Sequence, residues 1–113
     1  MKKRAILVLA ILMLALPAGA TPPKKVSLTF NRETQTLTVV ADHPTLDPKL
    51  HFIKTIVVEV DGVKVTTKVL TSQTDKNQQV VEILLSDVKP GAKIKATCYC
   101  SLYGSGSAEI VAP

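Results

Sequence analysis

The sequence predicts an all-β protein, because runs of alternating apolar and polar residues follow one another along most of the chain. These runs are rich in Val, Ile and Thr, and none shows the apolar period of a helix. We expect seven strands, at about 26–31, 35–41, 51–60, 63–70, 78–85, 93–100 and 107–112. Seven short strands in roughly 90 residues, separated by turns, indicate an immunoglobulin-like antiparallel β-sandwich.

Turn-forming residues separate the expected strands. Asp61-Gly62 lies between two Val-rich runs and predicts a two-residue hairpin. The other predicted turns are at 31–34, 74–77, 89–91 and 104–106. Alternation along 93–100 places Cys98 and Cys100 on the apolar face of their strand, with Cys98 in the core and Cys100 at the rim.

The first twenty residues are expected to be a cleaved secretory signal peptide. A basic start, Met1-Lys2-Lys3-Arg4, precedes twelve apolar residues at 5–16 and the small residues Ala18-Gly19-Ala20. Twelve apolar residues are fewer than the roughly 20 that span a membrane. We therefore expect a single exported domain at 21–113, periplasmic where the host has two membranes, and not attached to the membrane after cleavage.

The charge balance gives no reason to expect a nucleic-acid partner. The chain has 14 Lys and Arg residues against 9 Asp and Glu, and the signal peptide removes Lys2, Lys3 and Arg4, which leaves a net charge of +2. No basic patch interleaved with aromatic residues is present in the sequence. The two cysteines are also poorly placed for a disulfide, since residues i and i+2 of a strand are about 6.5–7 Å apart at Cα.

Loop order predicts that the histidines and Cys100 meet. If each connection reverses the chain, the segment before residue 26 and the loops at 42–50, 71–77 and 101–106 share one end of the sandwich. His43, His51, Cys100 and Tyr103 then converge there, with Lys24 and Lys25 nearby. Imidazole and thiolate are ligands for iron, zinc and copper. The alternative is that the histidines are solvated or capping residues and the cysteines are packed ones, since the spacing matches no tight metal motif.

Other chemistries have weaker support in the sequence. Gly104-Ser105-Gly106-Ser107 lacks the strand–turn–helix context of a nucleophilic serine and is expected to be a turn. Asp42, Asp47 and Asp75 can supply oxygen ligands to a hard cation, but Asp in such loops usually bonds its own backbone.

Two blocks of sequence carry a family likeness. One is Asp42-His43-Pro44 followed by His51-Phe52-Ile53, and the other is the strand that ends in Cys100-Ser101-Leu102-Tyr103-Gly104. Over about residues 35–106 the chain resembles the iron-binding domain of the superoxide reductase family, which includes desulfoferrodoxin and neelaredoxin. That family has His-Pro-Met, then His-(Tyr/Phe)-Ile, and later Cys-Asn-x-His-Gly.

The resemblance implies a seven-stranded sandwich that holds iron through four histidines and one cysteinate and reduces superoxide to peroxide. His43 and His51 match two of the histidines and Cys100 matches the cysteinate, which is three ligands of five. Tyr103 stands where the family has a further histidine, and Lys25 stands near the position of the N-terminal one. The loop between His43 and His51 is two residues longer than is usual.

Three functions follow as hypotheses. The first is a variant metal site of His43, His51 and Cys100, with Tyr103 as a possible fourth ligand, that binds iron, or zinc or copper instead. The second is a metal-free binding or scaffold module, of the kind that sulfur-oxidation carrier subunits represent. The third is a true superoxide reductase with replacement ligands, acting on superoxide with a redox partner.

Overall fold

A computed structural model describes residues 22–113 of the chain, and these residues form seven β-strands and no helix. The strands are β1 (Lys25–Asn31), β2 (Thr36–Asp42), β3 (Ile53–Val60), β4 (Val63–Val69), β5 (Gln78–Leu84), β6 (Lys93–Cys100) and β7 (Ser105–Val111). Over 22–113 there is no helix of the length and apolarity that crossing a membrane requires. The expected signal peptide at 1–20 lies outside the described residues.

The seven strands form two antiparallel sheets. One sheet has three strands in the order β1-β2-β5, and the other has four in the order β4-β3-β6-β7. The chain therefore passes from one sheet to the other after β2, after β4 and after β5. The predicted all-β architecture of seven antiparallel strands in two layers is confirmed.

The core lies between the sheets and follows the alternation of the sequence. Its fully buried members from the three-stranded sheet include Leu37 and Val39, and those from the four-stranded sheet include Ile56, Ile94 and Cys98. Every second residue of β2 and of β6 is buried because successive side chains point to opposite faces, whereas no residue of β4 is buried. The predicted inward face of β6 is confirmed, and the opposite face of that strand is largely exposed, as at Lys93, Lys95 and Tyr99.

The Asp61-Gly62 hairpin is confirmed. Both residues have positive φ, +50° and +81°, as a tight turn between right-twisted strands requires. A second turn was predicted wrongly, because Ser105 and Gly106 belong to β7 and pair with Tyr99 and Cys98. A Cβ atom at Gly106 would lie 3.0 Å from Pro23 Cγ, so this glycine permits close packing of the N-terminal segment.

The third strand also begins later than predicted. The backbone N–H groups of Leu50 and His51 both donate to the carbonyl oxygen of Asp47, at 3.1 and 2.9 Å, and this turn keeps His51 outside β3. The strand starts at Ile53, which pairs with Cys100 of β6. The other strand ends differ from the prediction by two residues or fewer.

The loops meet at one end of the sandwich, as loop order predicts. Lys24 N–H donates to the carbonyl oxygen of Asp42 at 2.8 Å, so the start of β1 lies beside the end of β2. His43 N–H donates to the carbonyl oxygen of Asn77 at 2.9 Å, which joins the end of β2 to the segment before β5. We call this end, formed by residues 22–24, 43–52, 70–77 and 101–104, the loop end.

Candidate metal centre

Three predicted ligands come together at the loop end. His43 directly follows β2, His51 lies two residues before β3, and Cys100 is the last residue of β6. The pairing of Ile53 with Cys100 brings the start of β3 beside the end of β6. One donor atom from each of the three residues lies within 4.8 Å of the other two. Two imidazoles and one thiol thus form a group that can hold a metal ion.

The spacing of these donors can be compared with metal geometry. Metal–nitrogen and metal–sulfur bonds of about 2.0 and 2.3 Å at a tetrahedral angle place donors roughly 3.3–3.6 Å apart. The donors here are separated by up to 4.8 Å. The widest separation must therefore close by about 1.2–1.5 Å to reach bonding distance. The residues present therefore fit a mononuclear site.

The two imidazole rings are packed against each other. Their centroids are 4.7 Å apart and the ring planes are at 89°, an edge-to-face arrangement. His43 is fully buried and His51 is partly buried, with its Nε2 atom shielded from solvent. A solvated-loop role for His43, one of the alternatives in the sequence, is therefore wrong. The two rings are therefore in direct contact inside the loop end.

Cys100 ends β6 and is followed by a turn that is held by hydrogen bonds and by the conformation of Gly104. Its backbone N–H donates to the carbonyl oxygen of Gly104 at 3.0 Å, and Leu102 N–H donates to its Sγ atom at 3.5 Å. Gly104 has φ +80°, and a Cβ atom there would lie 2.6 Å from Pro22 Cβ.

The turn after β6 is also tied to the loop that carries His51. Ser101 N–H donates to the carbonyl oxygen of Phe52 at 2.8 Å, and Phe52 N–H donates to Ser101 Oγ at 3.2 Å. Because Phe52 follows His51 and Ser101 follows Cys100, these two hydrogen bonds hold the candidate ligands His51 and Cys100 close to each other.

The second thiol has a different environment. Cys98 is fully buried among core side chains, and both cysteines are free thiols. Burial raises the pKa of the Cys98 thiol from about 9 to about 12, because the thiolate loses its hydration there. Cys98 is therefore a core residue that keeps its proton, as alternation predicts, and Cys100 at the rim is the candidate ligand.

The remaining predicted residues lie at the loop end with different roles. Tyr103 lies in the turn after Cys100 with about half of its side chain exposed, and its role as a fourth ligand stays a prediction. Asp47 accepts a hydrogen bond from Lys49 N–H, and Asp75 accepts from Asn77 N–H. These carboxylates act as the turn formers that the sequence suggests.

A cleft opens beside His51. It has a volume of about 510 Å³, and its lining includes Pro44, Leu46, Asp47, His51 and Lys76. Leu46 is 94% exposed, and Asp47 and Lys76 place one charge of each sign in the lining of the cleft. Its size is within the range of small-molecule sites. The cleft gives solvent and small solutes a route to one of the candidate ligands.

Two buried glutamines at the loop end were not anticipated. Gln73 Oε1 lies 2.8 Å from His43 Nδ1, and Gln79 Nε2 donates to the carbonyl oxygen of Ile53 at 3.0 Å. Alternation could have found Gln79, because it shares the inward parity of Val81 and Ile83 on β5. Gln73 lies in an irregular loop, where the sequence has no periodicity to indicate burial.

No family model matches this chain. Searches of curated proteins and of solved structures also find no match. Inference about function therefore depends on the geometry of the loop end and on the residue-level likeness described above.

Proposed function

We propose that this is an exported protein that binds one metal ion at the loop end through His43, His51 and Cys100. The observation that carries the proposal is the convergence of their donor atoms within 4.8 Å from three separate segments of the chain. Tyr103 is available as a further ligand from the turn after Cys100. Export follows from the basic, apolar and small-residue pattern of residues 1–20.

Iron is the proposed metal, on the strength of the likeness to superoxide reductases. Nitrogen and thiolate ligands also suit zinc and copper. A His₂Cys set is typical of copper electron-transfer sites as well as of some zinc sites, so these three donors do not by themselves select one metal. All three metals bind a cysteine through its thiolate.

We also propose a redox role, with superoxide as the candidate substrate and a separate electron donor as partner. Three protein ligands leave coordination positions for a small exogenous molecule. The cleft beside His51 supports access of a small solute to the site.

The fold belongs, in this proposal, to the immunoglobulin-like class of sandwiches. The division into β1-β2-β5 and β4-β3-β6-β7, with three crossings between the sheets, supports it. The proposed single domain at 21–113 is the desulfoferrodoxin-like unit of that class.

Elemental analysis of anaerobically purified mature protein tests the metal proposal. We expect close to one equivalent of metal, mostly iron, and a sharp reduction in Cys100→Ser. Cys98→Ser is the matched control, because it changes a thiol two residues away that lies in the core. Less than a tenth of an equivalent after reconstitution with Fe²⁺, Zn²⁺ and Cu²⁺ would contradict the proposal.

Superoxide reduction needs its own measurement. Pulsed superoxide should disappear faster with the reduced iron-loaded protein than with Cys100→Ser. The product should be hydrogen peroxide, with no release of O₂. Equal decay rates with both proteins would leave a metal-binding protein without this activity.

A metal-free binding module is the second candidate function. Exposed leucines at the loop end favour it, since Leu46, Leu50 and Leu102 are 94%, 73% and 61% exposed. Apolar side chains grouped on a surface often mark an interaction site. This function predicts that His43→Ala combined with Cys100→Ser leaves partner pull-down unchanged, whereas Leu46→Ser combined with Leu50→Ser abolishes it.

A further inference from the structure

Gln73 makes four hydrogen bonds beneath the candidate metal centre. Its side chain is only 5% exposed, although it belongs to a loop. Its Nε2 atom donates to the carbonyl oxygens of His43 at 2.7 Å and Asp75 at 2.9 Å. Its Oε1 atom accepts from Ile53 N–H at 3.1 Å and lies 2.8 Å from His43 Nδ1. One buried side chain thus contacts the ligand histidine, β3 and its own loop.

These partners determine which way the amide of Gln73 points. The carbonyl oxygens of His43 and Asp75 can only accept, so the atom facing them must be the NH₂ group. Ile53 N–H can only donate, so the atom facing it must be the oxygen. Reversing the amide would break all three of these bonds. The atom that faces the imidazole is therefore an acceptor.

The imidazole must then donate from Nδ1. In a neutral imidazole one nitrogen carries the proton and the other carries the lone pair, so a proton on Nδ1 places the lone pair on Nε2. We propose that Gln73 is a positioning residue that holds His43 in the Nδ1–H tautomer, with Nε2 presented as the metal ligand. This inference rests on the proposed metal-binding function.

A hydrogen bond to the second imidazole nitrogen is the usual device by which proteins orient a metal-binding histidine. Its removal typically lowers metal affinity by about 10–100-fold. Gln73 has a further effect on the same site, because it also holds Ile53, whose strand partner is Cys100. A single side chain thus positions His43 directly and Cys100 through the start of β3.

Gln79 provides a matched control in the same network. It is also buried, at 3% exposed, and its Nε2 donates to the carbonyl oxygens of Ile53 and Ser72. Its Oε1 accepts from Thr74 N–H and from the Thr74 hydroxyl. Gln79 therefore supports the same strand and loop through as many hydrogen bonds, but none of these bonds is to an imidazole.

Two measurements on full-length mature protein test the proposal. Long-range ¹H–¹⁵N NMR of the metal-free protein reports the tautomer of His43, and competition with a chromophoric chelator reports the affinity for Zn²⁺. The variants are Gln73→Leu, Gln73→Glu and Gln79→Leu, each checked for folding by circular dichroism. Gln73→Glu keeps the acceptor bonds to the imidazole and to Ile53 N–H but places an oxygen against the carbonyl oxygens of His43 and Asp75, so it is compared only where it folds. The tautomer of His43 in wild-type protein tests the proposal even if neither Gln73 variant folds.

We expect wild-type protein, Gln73→Glu and Gln79→Leu to contain the Nδ1–H tautomer, and folded Gln73→Leu to contain a mixture. Zn²⁺ affinity should fall 10–100-fold in Gln73→Leu and change less than about threefold in Gln79→Leu. A purely structural role predicts similar weakening in both of these variants.

The two ways of failing are distinguishable. An Nε2–H tautomer of His43 in the wild-type protein would overturn the role of Gln73 whether or not metal binds. Equal Zn²⁺ affinities in folded Gln73→Leu and wild-type protein would overturn it as well. Absence of Zn²⁺ binding by wild-type protein that contains the Nδ1–H tautomer would instead overturn the metal proposal, and the positioning role with it.

Discussion

Iodoacetamide at pH 8 should alkylate Cys100 of the folded protein and leave Cys98 almost unmodified. The reactive species is the thiolate, and burial raises the pKa of Cys98 from about 9 to about 12. At pH 8 a thiol with a pKa of 12 is ionised to about 1 part in 10⁴, compared with roughly 1 part in 10 at a pKa of 9. Ionisation alone should therefore slow Cys98 about 1,000-fold relative to an ordinary cysteine, and full burial slows it further.

Single-cysteine variants make the assay unambiguous, because no Lys or Arg follows Lys95 and both thiols fall on one tryptic peptide. Cys98→Ala reports on Cys100, Cys100→Ser reports on Cys98, and intact mass is followed with time. In urea the two rates should become similar, which controls for reagent and peptide context. Zn²⁺ should protect Cys100 in the folded protein if it is a ligand. Similar rates for the two folded variants would refute the assignment of Cys98 to the core and Cys100 to the rim.

Three further predictions concern stability. Gly104→Ala should lower the free energy of unfolding in urea by more than Gly62→Ala. Both glycines have φ near +80°, a conformation that costs alanine about 1–2 kcal/mol, but only at Gly104 would the added Cβ meet a neighbour, Pro22, at 2.6 Å. Equal losses would show that the close approach to Pro22 is not needed. Leu37→Ala should lower it by about 2–5 kcal/mol, since Leu37 is fully buried between the sheets, and a loss below 1 kcal/mol would contradict that packing. Stability should also fall between pH 9 and 12, because over that range the unfolded chain releases the Cys98 proton while the folded protein keeps it. This group alone should lower the free energy of unfolding by up to about 1.4 kcal/mol per pH unit. Cys98→Ala should flatten the fall in pH-dependent urea melts, and an unchanged slope would show that Cys98 does not titrate in this way.

Period-two alternation was sufficient to assign the inward and outward faces of β6, but not of β4, none of whose residues is buried. It placed Ile94, Ala96 and Cys98 in the core and Cys100 at the rim, because successive side chains of a strand point to opposite faces of the sheet. Loop order then predicted that His43 and Cys100, which are 57 residues apart in the sequence, lie close together. Both inferences depend on properties of a strand that are local in sequence.

Features determined by tertiary contact were not predictable in the same way. Gly106 is of a residue type common in turns, but it pairs with Cys98 in β7, and Pro23 lies close to it. Gln73 has no periodic context, and its burial follows from partners 30 and 20 residues away, His43 and Ile53. A single sequence contains no local signal for either contact.

The position of the candidate ligands gives metal binding a structural consequence beyond chemistry. His43 extends from β2 of the three-stranded sheet, whereas Cys100 ends β6 of the four-stranded sheet. A metal ion bound to both would join the two sheets at the loop end, where Gln73 and Gln79 already link segments of each. Because an ion that binds only the folded state stabilises it by RT ln(1 + [L]/Kd), saturation at 100 times Kd adds about 2.7 kcal/mol. Binding at the proposed site would therefore stabilise the sandwich at the loop end, and Gln73 would support both the fold and the proposed ligand His43.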